Sequence, residues 1–195
     1  MTAQSGDPHI EVIVEGKADF NAIPVLLRNH LYAQNEYRDL LGKPIATKGI
    51  SNATKANGIE GFVVTAACRP GCRAILIVID SDDHCIAEMA EELTIRLDGL
   101  VEQPVVLAFA ERTYEDWLYA SVETLGIGDC IFVASKSGIS AIETALRAIG
   151  ESYSKPLWQP KLTHRIDIAL ARSRSTSLSR LLDRFDALLP LLNSP

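Results

Sequence analysis

The sequence predicts an α/β fold, a parallel, doubly wound sheet with a helical carboxy-terminal extension, and three observations point to it. Apolar, β-branched runs over residues 9–15, 73–79 and 104–110 alternate with stretches of helical periodicity, the order that builds parallel sheets. The middle run is continuously aliphatic from Ala74 to Ile79, as a central strand covered on both faces requires. Beyond residue 136 apolar residues recur mainly at steps of three and four, without further strand-like runs.

The first run ends at Glu15 and Gly16 and reads as a strand followed by a turn. Phe20, Ile23, Leu26, Leu27 and Leu31 then fall at helical spacing, with Pro24 expected in or near the first turn. Residues 33–61 hold four glycines and weak periodicity, so only an ill-defined stretch is expected there, before a helix ending near Cys68. The central strand runs straight into Asp80, Ser81, Asp82 and Asp83. A helix over residues 83–97 would place Ile86, Met89, Ala90, Leu93 and Leu97 on one side, and the third strand would end near Glu111. A short helix over 114–120, an edge strand over 130–133 and helices over 139–149, 163–171 and 177–192 complete the expectation. In the last of these, Leu178, Leu181, Leu182, Phe185, Leu188, Leu189 and Leu192 form an apolar stripe.

With 195 residues, 47% of them apolar, the chain suffices for one domain with a substantial core, about 9–135 forming the α/β part and 136–195 the extension. Its start lacks the basic and apolar segments of a secretory signal, and no apolar run is long enough to span a bilayer; the expectation is a soluble, cytoplasmic protein with no membrane association. Cys68, Cys72, Cys85 and Cys130 are too few and scattered for a disulfide framework and lack the paired spacing of a zinc site. A net charge of −6 argues against a globally basic nucleic-acid binder. Residues 161–195 nevertheless carry 6 basic against 3 acidic side chains, so any contact with a polyanion is local.

In open α/β sheets ligands collect outside the carboxyl ends of the strands. Here those ends carry Glu15, Asp80 and an acid near Glu111, with Asp82 two residues beyond Asp80. Clustered carboxylates repel one another unless a cation or a proton compensates, and an oxygen-only donor set favours Mg2+ or Mn2+ over zinc. Taken singly, an acid after a strand is more simply a helix cap or a solvated strand end.

Val12, Ile13, Val14, Glu15 and Gly16, followed later by Ile77, Val78, Ile79, Asp80 and Asp82, resemble the TOPRIM core of topoisomerases, primases and OLD-type (overcoming lysogenization defect) nucleases. The resemblance is closer to a bacterial TOPRIM-like family of unassigned function related to those nucleases, with an acid two residues before Trp-Leu, a later Tyr-x-Lys and an Arg-Ser pair. The corresponding residues are Glu115, Trp117 and Leu118, then Tyr153 and Lys155, then Arg174 and Ser175, and the similarity spans about residues 9–190. The chain departs from the pattern at Ser121, where a further acid is expected, and at Thr176, where an aromatic is expected.

The resemblance implies a TOPRIM/Rossmann-like sheet and a Mg2+-dependent (or Mn2+-dependent) nuclease acting on DNA or RNA, with an ATPase as partner in a bacterial anti-phage defence pair. Asp80 and Asp82 would hold the ion, Glu15 would be a ligand or general acid/base, and Glu115 would support a second ion. Strand-end geometry alone points to Glu111 instead of Glu115, and both stay open. Lys155 or Lys161 would place a cation near the developing negative charge if the extension folds back over the strand ends. Arg172, Arg174 and Ser175, before the last helix, would take a phosphate oxygen, the plainer reading being a helix cap with solvated arginines.

Two other readings fit the residues. One is a non-catalytic module that binds metal, nucleotide or an ATPase partner, which the acidic charge favours. The other is a receiver-like phosphoryl acceptor built on Asp80 and Lys136, but Glu15 and Gly16 stand where that arrangement has an acidic pair.

Overall fold

The computed structural model describes residues 6–49, 51–52, 55–82 and 84–193. Its strands are β1 (His9–Val14), β2 (Ile45–Ala46), β3 (Cys72–Asp80) and β4 (Val105–Ala110). They form an all-parallel sheet in the order β2-β1-β3-β4, with Val14 level with Val78 and Asp80 level with Ala110. The continuous apolar run thus occupies an inner strand, as its burial on both faces demands.

The helices are α1 (Lys17–Ala33), α2 (Ile59–Ala67), α3 (Ile86–Leu97), α4 (Tyr114–Tyr119), α5 (Gly138–Ala148), α6 (Lys155–Thr163), α7 (Ile168–Arg174) and α8 (Thr176–Asp186). Alternate strand residues face opposite ways, so the sheet has two cores. Ile13, Ile75, Ile77, Ile79 and Phe109 meet Ile59 and Val63 of α2 and Met89, Leu93 and Leu97 of α3. Ile10, Val12, Val14, Leu76, Val78 and Ala108 meet Leu26 and Leu27 of α1 and a larger group from the later helices, including Trp117, Leu146, Leu162, Leu181 and Phe185. The carboxy-terminal extension is therefore one wall of the doubly wound sheet and shares its core.

Several expectations shift. The ill-defined stretch supplies β2, which pairs parallel to β1 through Ile45 and Ala46. Pro24 lies well inside α1 instead of in its first turn. The helix expected from Asp83 begins at Ile86, and Asp83 lies outside the described residues. The helix expected over 163–171 is replaced by α6 and α7, separated where Asp167 accepts a 2.9 Å hydrogen bond from the Leu170 N–H and starts a new helix. The last helix stops at Asp186, and Leu189–Asn193 continues as a 3-10 turn.

The expected edge strand over 130–133 does not form. Helix α8 packs against β4, and Arg184 donates to the Leu107 carbonyl. Side chains bind that segment's backbone instead. The Tyr119 hydroxyl donates to the Ile131 carbonyl (3.1 Å) and accepts from the Val133 N–H (2.9 Å), while Glu123 accepts from the Phe132 N–H (3.1 Å). No helix among the described residues is long and apolar enough to cross a membrane.

Candidate functional site

The carboxyl ends of β1 and β3 are adjacent, so Glu15, one residue beyond β1, and Asp80, the last residue of β3, open on the same crevice. The next residue but one, Asp82, has φ of +47°, a left-handed turn that aspartate tolerates better than most residues. Its backbone N–H donates 2.9 Å to the Arg112 carbonyl, which ties the loop after β3 to the loop after β4.

Helix α4 brings Glu115 from the opposite wall. Tyr114, Trp117 and Leu118 are buried, and the same short helix carries Glu115 fully into the interior. A buried carboxylate costs several kcal/mol unless its oxygens are satisfied. One oxygen, Oε1, accepts from the Tyr153 hydroxyl and from Gln159 Nε2 at 2.8 Å. The other, Oε2, has no hydrogen-bond partner and faces Lys155 Nζ at 3.6 Å. That same Nζ lies 3.7 Å from Asp80 Oδ2. The folding back of the extension, on which a role for Lys155 depended, is thus present: α6 lies against α1 and points its first residue at the strand ends.

Charge organises this crevice. Burial, then the charge of Asp19, pushes the Asp80 carboxyl well above its ordinary range; Glu115 and Glu15 push the same way, against Lys155. Asp19 is also raised, chiefly by burial, although it accepts a 3.0 Å hydrogen bond from the Gly16 N–H. Burial works against the charged form of Lys155, but Glu115, Asp80, Asp19 and Asp82 together outweigh it and keep the amine an ammonium. Burial and then the Glu115 charge hold the Tyr153 phenol protonated, as a donor to that carboxylate must be.

Of the expected site residues, the fold brings together Glu15, Asp80, Glu115 and Lys155, with Asp82 close enough to act on Lys155 and itself exposed. Between the two competing acids the geometry selects Glu115. Glu111 is exposed and lines a separate cleft of about 360 Å3 with Arg112, Asp116, Lys136, Arg174 and Ser175.

The expected phosphate group does not join this crevice. Lys161 lies 4.0 Å over the Trp158 ring, Arg172 pairs with Asp183, and Arg174 binds Glu123 (2.8 Å) and the Ala120 carbonyl (3.1 Å). Ser175 caps α8 by accepting from the Leu178 N–H. Ser175 thus caps a helix, while the two arginines pair with acids instead of being solvated.

Three residues of the crevice were not singled out as functional from sequence. Asp19 is the third residue of a helix that leaves the sheet at a strand-ending Gly, a position beside the crevice by construction. Gln159 follows Lys155 by four residues and so shares its helix face. Tyr153, noted only as part of a motif, is the hydroxyl donor to Glu115.

The donors here are all carboxylate oxygens, among them the fully buried Glu115 Oε2 that lacks a hydrogen-bond partner, and they match a hard divalent cation in kind. Among the described residues, however, no three Asp, Glu, His or Cys side chains stand close enough together to hold an ion as placed. All four cysteines are free thiols, so none is bridged to another. Comparison of the chain with protein-family profiles, with curated proteins and with solved structures gives no match.

Proposed function

We propose that the chain is a Mg2+-dependent nuclease of TOPRIM type that hydrolyses phosphodiester bonds in DNA or RNA, working in the cytoplasm, with an ATPase as partner in anti-phage defence. The observation that carries this reading is the gathering of Asp19, Glu115, Glu15 and Lys155 around Asp80 at the carboxyl end of a parallel sheet. A bound Mg2+ would supply Lewis-acid stabilisation of charge on the phosphoryl oxygens. Asp80 and Glu115, with Asp82 and Asp19 in support, would be its holders. Glu15 would accept the proton of the attacking water, and Lys155 would place a positive charge beside the developing negative one. Tyr153 and Gln159 fix the orientation of Glu115 through hydrogen bonds to its Oε1.

The experiment is cleavage of supercoiled plasmid and of tRNA in Mg2+ or Mn2+, with and without a candidate ATPase, by the wild-type chain and by Asp80→Ala/Asp82→Ala. Cleavage by the wild type alone is expected. Equal background with both proteins would sink the enzyme reading.

A second reading, a non-catalytic adaptor that binds a metal ion, a nucleotide or an ATPase, is favoured by the pairing of Arg172 and Arg174 with acids, which leaves few uncommitted cations for a polynucleotide. It predicts metal binding without turnover in the same assay.

A further inference from the structure

The Lys155 amine is placed as an ion would be, between Asp80 and Glu115, yet it is held there loosely. Its distances of 3.7 and 3.6 Å exceed those of hydrogen bonds, so charge alone binds it to these two oxygens. The side chain is 42% exposed, and its four-carbon stem starts at the first residue of α6, so the amine can swing to solvent while the helix stays docked. The buried Glu115 Oε2, without a hydrogen-bond partner, points at this position. The acids as placed do not converge on a common ion, and Mg2+ demands ligand oxygens at about 2.0–2.1 Å. An ammonium and a divalent ion cannot share a gap this narrow without strong mutual repulsion.

We infer that Lys155 is the built-in counter-cation of the crevice, and that a divalent ion enters by exchanging with its ammonium, drawing Asp80 and Glu115 inward and releasing Lys155 toward solvent at the rim. This rests on the metal-site reading above and adds to it a competition within the chain. The fold then stays compensated without metal, and metal affinity is set partly by how tightly the lysine is held.

The test is Mn2+ titration by calorimetry of the full chain and of Lys155→Met, together with amine acetylation read residue by residue by mass spectrometry with and without Mg2+. Exchange predicts that Lys155→Met binds Mn2+ about fivefold more tightly, the upper size of an exposed ion pair. It also predicts that Mg2+ speeds acetylation of Lys155 in the wild type while leaving the exposed Lys48 unchanged. Should the variant fail to fold, the acetylation measurement decides alone. Mn2+ binding by the wild type with equal or weaker binding by Lys155→Met, or with Lys155 acetylation unaltered by metal, overturns the exchange and leaves the metal site standing. Absence of binding by both proteins overturns the metal site itself, and the exchange with it.

Discussion

The indole Nε1 of Trp117 donates a 2.8 Å hydrogen bond to Oγ of Ser177 across 60 residues of sequence. It locks the helix that carries Glu115 to the last long helix of the chain, and both groups are buried. Ser177→Ala is therefore expected to cost about 1–3 kcal/mol by leaving the indole N–H unsatisfied. Trp117→Ala is expected to cost about 3–5 kcal/mol through the cavity it opens. Urea denaturation of the two variants checks both, and a Ser177→Ala variant as stable as the wild type would show that the bond contributes little.

A pH prediction follows from Asp80. Its carboxyl is raised in the folded state, chiefly by burial, so the native chain holds a proton that the unfolded chain gives up near the ordinary value of 3.8. Above that value the unfolded state binds fewer protons than the native one, and stability falls as pH rises toward the folded value. Asp19, raised in the same way, adds to the slope. Asp80→Asn should melt at a higher temperature than the wild type at pH 8 in metal-free buffer, with the difference shrinking toward pH 4. A variant less stable than the wild type at pH 8 would contradict this account.

Tyr153→Phe removes the hydroxyl that donates to Glu115 Oε1 and leaves Gln159 as the hydrogen-bond donor there. Loss of a bond to a buried charge is expected to cost about 1.5–3 kcal/mol in thermal or chemical unfolding. Gln159→Leu should cost a similar amount. The double variant should exceed the sum of the two, since Glu115 Oε1 would then keep neither donor.

Gly138 opens α5 directly against α4. A Cβ there would lie 2.5 Å from the Glu115 carbonyl oxygen and 2.7 Å from the Asp116 backbone, atoms that cannot move aside without shifting the helix. The same backbone donates 2.6 Å from the Gly138 N–H to Asp116 Oδ1. Gly138→Ala is expected to cost about 1–3 kcal/mol, as overpacking does. It should also weaken Mn2+ binding, because the displaced helix is the one that positions Glu115. Unchanged stability would mean that α5 separates from α4 freely.

The parts of this molecule legible from sequence were those decided locally. Residues 74–79 are aliphatic without interruption, so an inner strand ending at Asp80 followed directly, and Glu15 followed from the Gly after it. Long-range partners were not legible. Arg174 reads as an available cation until Glu123, 51 residues earlier, is seen beside it, and Arg172 until Asp183 is. Residues 130–133 have strand-like side chains, but their backbone groups are bound by the distant side chains of Tyr119 and Glu123 instead of by a sheet edge. Asp19 hides for another reason: an acid in the first turn of a helix already has an ordinary explanation in the Gly16 N–H that it accepts, and only the crevice's geometry gives it a second one.

The contact between Arg184 and the Leu107 carbonyl sits on the outer edge of the sheet. Because Pro104 and Ala110 turn their carbonyls toward β3 and its continuation, Leu107 turns its own outward. An outward row of backbone groups is a template onto which a neighbouring molecule can zip, and natural sheets blunt it with charged side chains. A guanidinium seated on the middle of that row occupies one of its acceptors, in the manner of the charged side chains that blunt an open edge.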